Sequence, residues 1–185
     1  MYHERQRLMH CAIHMLNNLF QESWADEKLM NGIAQEMFNV EAGIRRESAM
    51  RSLWFNPFKS VVPGLGYYDI NVVIQALKLR ACHISAHIVY NPKNPGDFAQ
   101  QLQDFNLTSA VGIIVNRVGR VLLGGLWSTN HFYAIVSCPG YCPGDVMWYS
   151  LDSKEHAPEL IGGTLELIDL LVNEGREKHG QLFVV

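Results

Sequence analysis

The chain has 185 residues, with 48% hydrophobic and 18% charged, which suits one well-packed globular domain and is marginal for two. A net charge of −3 leaves no basic excess to neutralise phosphates, which argues against a nucleic-acid binder. No apolar run reaches about 18 residues, so no membrane span is expected, and Met1-Tyr2-His3-Glu4-Arg5-Gln6 lacks the apolar core of a signal peptide, so a cytoplasmic or nuclear protein is the default.

The first helix is expected from about Arg7 to Gln21. Leu8, Ala12, Met15, Leu16 and Leu19 share one face, while His10, His14, Asn17 and Gln21 form a polar stripe. Cys11 falls in the first turns. Ser23 or Asp26 is placed to cap a second helix running through Phe38, with Leu29, Met30, Ile33 and Met37 on one face. From Val40 to Phe55 the pattern weakens. Glu41, Arg45, Arg46, Glu47 and Arg51 suggest a solvated helix or hairpin arm, and Trp54, Phe55 and Phe58 then cluster beside Pro57, either packed on the body or facing a partner.

Pro63-Gly64-Leu65-Gly66 is a break. Asp69 is expected to cap a helix carrying Ile70, Val73, Ile74 and Leu77. Cys82, Ile84, Ala86, Ile88 and Tyr90 then alternate with His83, Ser85, His87 and Val89, the period of a strand, up to Asn91-Pro92. Asp97 to Phe105 reads as a short helix. Ala110–Asn116, His131–Cys138 and Val146–Leu151 read as strands, with Gly124-Gly125 and Pro139-Gly140 in the connections. Thr164 is placed to cap a last helix carrying Leu165, Ile168, Leu171 and Val172 that stops near Gly175, and Leu182–Val185 reads as a terminal strand. Helices dominate the first half and strands the second. That is the α+β pattern, a mainly antiparallel sheet packed against helices. With no repeat, low-complexity tract or linker, the expectation is a single domain over 1–185 with a helical arm at about 25–58.

Cys11, Cys82, Cys138 and Cys142 are too few for a dense disulfide framework in a chain long enough for a core, so one of them is a candidate reactive thiol. A thiol attacks as thiolate, and unpaired N–H groups at a helix N-terminus favour that anion. Cys11 has that position and needs a histidine. His10 and His14 share its helix but seldom aim a ring at the thiol from there. His83 and His87 lie on one strand face and read as solvated; His3, His156 and His179 read as surface. His131 opens the apolar strand Phe132–Val136 and is held by a rigid element. If that strand pairs antiparallel with Val146–Leu151, its start lies beside the end of the second, and His131 meets Asp152. Asp152 would accept the imidazole N–H and fix its tautomer; the bland alternative is an aspartate opening a turn. The Gln6 amide and the Cys11 backbone N–H are candidates for an oxyanion hole, where one donor is worth about 3–4 kcal/mol. Taken alone, Gln6 reads as a surface glutamine.

A zinc site is the competing use of the same residues, since Cys11-x-x-His14 and Cys138-x-x-x-Cys142 have ligand-like spacings. Against it, the first pair encloses Ala12 and Ile13 in an amphipathic helix, and the second lies in the turn Pro139-Gly140-Tyr141, away from His131. Neither a metal nor a cofactor is expected. A Cys138–Cys142 disulfide is disfavoured by a reducing compartment.

The run Gln6-Arg7-Leu8-Met9-His10-Cys11-Ala12-Ile13-His14-Met15-Leu16-Asn17-Asn18 resembles the opening motif of Josephin domains, papain-like deubiquitinases. Tyr67–Leu77 resembles the family's central helix, Asn130-His131-Phe132 its catalytic-histidine strand, and Leu151-Asp152-Ser153-Lys154, Ala157-Pro158-Glu159 and Leu182–Val185 its closing segment. The resemblance runs in order from about Tyr2 to Val185 and is most similar to a short, stand-alone member. It implies Cys11 as nucleophile, His131 as base, Asp152 as orienting residue and Gln6 as oxyanion donor. Two positions depart from the pattern. Asp152 stands where other members carry asparagine, and Phe132 stands where a tryptophan usually follows the histidine.

The resemblance implies a cysteine isopeptidase that cuts after the C-terminal glycine of ubiquitin through a thioester, acting on ubiquitinated proteins; a monomer is the expectation for its oligomeric state. The rival is a ubiquitin-binding module with a weak or silent site.

Overall fold

The computed structural model describes residues 1–7, 10–45, 56–59, 67–105, 107–117, 130–140 and 145–185. The readings placed on Leu8, 46–55, Pro63–Gly66, Gly124-Gly125, Tyr141 and Cys142 lie outside these residues.

The described elements run α1 (Cys11–Phe20), α2 (Glu27–Arg45), α3 (Ile70–Leu79), β1 (Ala86–Val89), α4 (Pro95–Asp104), a 3-10 turn (Leu107–Ser109), β2 (Ile113–Arg117), β3 (His131–Pro139), β4 (Val146–Leu151), β5 (Glu159–Gly162), α5 (Thr164–Lys178) and β6 (Gly180–Val184). The strands form one sheet in the order β1-β6-β2-β3-β4-β5, and every neighbouring pair is antiparallel. This is an α+β, papain-like arrangement.

Both faces of the sheet are covered, which is why Ile113–Val115 and Phe132–Val136 are unbroken apolar runs rather than alternating ones. Ile114, Phe132, Ala134, Val136, Leu151 and Phe183 face α1, α2 and α3. Ile113, Val115, Tyr133, Ile135, Trp148 and Leu182 face α4 and α5, through Phe98, Leu102, Leu167 and Leu171. The alternation along each strand splits the core into two layers.

Several elements differ from the sequence reading for identifiable reasons. α1 starts at Cys11 rather than Arg7, because His10 takes a non-helical φ/ψ of −86° and 38° as N-cap. α2 is capped by Asp26, whose Oδ1 accepts the Leu29 N–H at 2.7 Å, and runs past Phe38 to Arg45. α3 is capped as expected by Asp69, and its buried face is Val72, Val73, Ala76 and Leu77, so Val72 and Ala76 join the expected Val73 and Leu77, while Ile70 and Ile74 are only partly buried. α5 runs through Gly175 to Lys178. A Cβ at Gly175 would lie 2.8 Å from Phe98 Cζ, so the glycine lets α5 press against α4 instead of ending the helix. β5 was not anticipated. It is a short edge strand whose Leu160 is exposed, so it lacks the buried alternation that marks a strand in sequence.

Candidate active site

The buried stripe of α1, with Ala12, Met15, Leu16 and Leu19, presses the helix onto the sheet. Gly112 permits the close approach, since a Cβ there would lie 2.6 Å from Leu19 Cδ1 and 2.7 Å from the Ile135 carbonyl. Cys11, the first helical residue, is thereby carried to the start of β3. Its thiol donates to the Asn130 carbonyl at 3.8 Å, and the Phe132 N–H faces the sulfur. Cys11 thus packs against the residues on either side of His131.

Antiparallel pairing of β3 with β4, with Ala134 opposite Leu151, sets the start of one strand beside the end of the other. His131 and Asp152 meet there, Nε2 to Oδ1 at 2.7 Å, with both side chains buried. Oδ1 also accepts the Lys154 N–H at 3.0 Å, and Oδ2 faces Arg117 Nη1 at 3.4 Å. Burial pushes the Asp152 carboxyl up, but the hydrogen bond and charge of His131, the Lys154 N–H and the Arg117 charge hold it below the usual aspartate value. An ionised Asp152 accepts, so Nε2 donates and Nδ1 is left for proton exchange.

Gln6 lies beside this pair. Its N–H donates to the Ser153 carbonyl at 2.6 Å, and its Oε1 accepts from Ser153 Oγ at 3.4 Å. The polar stripe of α1 holds the N-terminal segment in place. Asn18, fully buried, accepts the Glu4 N–H at 2.6 Å and donates to the Leu151 carbonyl at 3.2 Å. Asn17 donates to Glu4 Oε2 at 2.9 Å, and His14 Nδ1 meets the same oxygen at 2.8 Å. Tyr2 hydroxyl closes on Glu4 Oε1.

The thiol departs from expectation. The helix N–H groups of Cys11 and Ala12 do face the sulfur, and Lys154 adds positive charge, but burial outweighs them and pushes the thiol up. The resting sulfur is therefore a thiol hydrogen-bonded to a carbonyl. Among the described residues no hydrogen bond joins it to the His131 ring.

The other histidines divide as follows. His83, His87, His156 and His179 are exposed, and His87 stacks on Phe183 with centroids 4.3 Å apart. His3, read from sequence as a surface residue, instead sets Nε2 3.1 Å from the Asp152 carbonyl. His14 is engaged by Glu4 while Cys11 turns to Asn130, so this pair does not converge as zinc ligands. Cys82 and Cys138 are free thiols.

Two residues escaped the sequence reading. Arg117, at the end of β2, forks onto Glu174 of α5, Nε to Oε2 at 2.8 Å and Nη2 to Oε1 at 2.7 Å. Leu167, Leu171 and Glu174 follow the i, i+4, i+7 rule, so a carboxylate on an apolar stripe was the available signal. Burial pushes the Glu174 carboxyl up, and Arg117 and Lys178 more than reverse it, leaving it below the usual glutamate value.

The sequence model of the Josephin family matches residues 6–185. The chain is 33% identical over 166 residues to Josephin-2 of Homo sapiens, covering 87% of this chain and 72% of that protein. It is 32% identical over 160 residues to a Josephin-like protein of Arabidopsis thaliana, covering 86% of this chain and 40% of that protein, less than half its length. A Josephin-like protein of Drosophila melanogaster is 28% identical over 189 residues, covering the whole chain and 72% of its own length. Among the described residues no helix is long and apolar enough to cross a membrane. With the family's matched span reaching from Gln6 through Cys11, His131 and Asp152 to the last strand, the chain belongs to the Josephin family, whose domains are of the cysteine-protease, deubiquitinase type.

Proposed function

We propose that the protein is a ubiquitin-specific cysteine protease that cuts isopeptide or peptide bonds after the ubiquitin C-terminal glycine, with Cys11, His131, Asp152 and Gln6 as its machinery. The observation that carries this reading is the buried His131–Asp152 hydrogen bond of 2.7 Å, at the strand start against which Cys11 packs. Substrate entry displaces the thiol from the Asn130 carbonyl. His131 Nδ1 takes the thiol proton, and the sulfur attacks the glycine carbonyl. The Cys11 N–H, in the first turn of α1 where no intrahelical carbonyl takes it, and the Gln6 amide stabilise the oxyanion. The protonated ring then gives its proton to the leaving amine, the C–N bond breaks, and a thioester remains. Water, deprotonated by His131, hydrolyses the thioester and returns the thiol. Asp152 holds the ring throughout and stabilises its positive form. This chemistry needs no cofactor.

A protein substrate also needs a docking surface. Val40 and Ile44, four apart on α2, are exposed at 59% and 77% and give the arm an apolar stripe for ubiquitin. Turnover of isopeptide-linked diubiquitin tests the whole reading. His131→Ala should abolish turnover yet bind ubiquitin as the parent does; equal turnover would refute the assignment of the base. A second reading, a ubiquitin-binding module with a silent site, draws on the buried thiol and its raised pKa. Binding of ubiquitin with no turnover by the parent protein under reducing conditions selects that reading.

A further inference from the structure

We propose, building on the reading of Asp152 as the residue that orients His131, that Arg117 is a positioning residue for Asp152: anchored on Glu174, its guanidinium holds Oδ2 and leaves Oδ1 to the imidazole. Arg117 lies opposite His131 in the β2–β3 register, so it shares the rim of the sheet. Two of its nitrogens are fixed by the fork on Glu174 at 2.7 and 2.8 Å. Glu174 is itself 5% exposed and held a second time by Lys178 Nζ at 2.9 Å. The guanidinium carbon lies 4.6 Å from the centroid of the Tyr133 ring, which fixes the plane of the fork. The remaining nitrogen, Nη1, then faces Asp152 Oδ2 at 3.4 Å.

A carboxylate has two equivalent oxygens, and an ion pair to one of them selects the other for the imidazole. Among the described residues, the charged and titratable groups against Asp152 are His131 on β3, Arg117 on β2, Lys154 in its own turn and His3 from the N-terminal segment, with Glu174 and Lys178 on α5 and Tyr133 on β3 behind Arg117. Arg117 is the cation that bridges the two buried carboxylates. An aspartate at this position, where a neutral asparagine would need no counter-ion, calls for such a partner. The competing view makes Arg117 a staple that fastens α5 to the sheet and nothing more.

The full chain carrying Arg117→Gln, Arg117→Lys or Glu174→Gln separates the two. Turnover of isopeptide-linked diubiquitin gives kcat and KM, and the Asp152 side-chain carbon, followed by NMR across pH, gives its titration. In Arg117→Gln, kcat should fall roughly tenfold, KM should stay within about twofold, and the Asp152 midpoint should move up. Arg117→Lys keeps the charge without the fork and should lie between. Glu174→Gln should lower kcat and raise the Asp152 midpoint in the same sense by less. Unchanged kcat, or an unmoved Asp152 midpoint, in a folded Arg117→Gln overturns the proposal. Should that variant not fold, the same two readouts on Glu174→Gln decide it. Absence of turnover in the parent protein would count against the proposed function alone, because the Asp152 titration needs no turnover.

Discussion

The two faces of the sheet hold their halves of the site by different physics. On the α1 face the helix that carries Cys11 is seated by an apolar stripe, Ala12, Met15, Leu16 and Leu19 against Phe132, Ala134 and Val136. The nucleophile is placed by packing, which is non-directional and strong in sum. On the α5 face the groups around His131 are charged: Asp152, Arg117, Glu174 and Lys178. The base is placed by directional, charge-assisted hydrogen bonds. Packing fixes where a helix lies and so where its first residue sits. It cannot fix the angle of a ring, and the polar face does that.

The contrast can be broken by experiments that strike one face at a time. The largest effect on stability should come from the packed face. Leu16→Ala removes a fully buried side chain and should cost about 2–5 kcal/mol, read from denaturant midpoints. The residual folded protein should retain its His131–Asp152 hydrogen bond. Smaller is Asn18→Ala, which strands the Glu4 N–H and the Leu151 carbonyl. It should cost about 1–3 kcal/mol and lower turnover as well, because Gln6 and Asp152 adjoin those two anchors.

The smallest effect separates the faces by pH. Asp152 and Glu174 both have carboxyls held below their ordinary values in the folded state. The unfolded chain binds more protons once the pH falls toward the ordinary carboxyl value of about 4. Their contribution is therefore complete above that pH and is lost as pH falls through the depressed folded values. Denaturant midpoints measured from pH 6 downward should decline in that window. Glu174→Gln should flatten the decline, whereas Leu16→Ala should run parallel to the parent curve. Parallel curves for both variants would dissolve the distinction between the faces.

Much of this was legible in the sequence because it rests on local rules. The period of Met15, Leu16 and Leu19 marks the packed face of α1, and the run Val146–Leu151 gives β4 with the boundaries found. The meeting of His131 with Asp152 follows from antiparallel pairing of two strand candidates. What escaped is non-local. Arg117 and Glu174 are 57 residues apart, and no spacing rule connects them. His3 reaches the Asp152 carbonyl across 149 positions because Asn17 and Asn18 fasten the N-terminal segment. The position of Cys11 at the first turn of α1 was readable, but the burial that raises its thiol was not, since desolvation belongs to the assembled core.

The central claim is that Cys11, despite its covered resting state, is the reactive thiol, and the most direct measurement is the site of covalent capture. Ubiquitin carrying a C-terminal electrophile is reacted with the full chain under reducing conditions, and the adduct is mapped by peptide mass spectrometry. The account predicts one adduct, on Cys11, with no capture by Cys11→Ala. An adduct on Cys82, Cys138 or Cys142 instead, or ubiquitin that binds and leaves every cysteine unmodified, would contradict it.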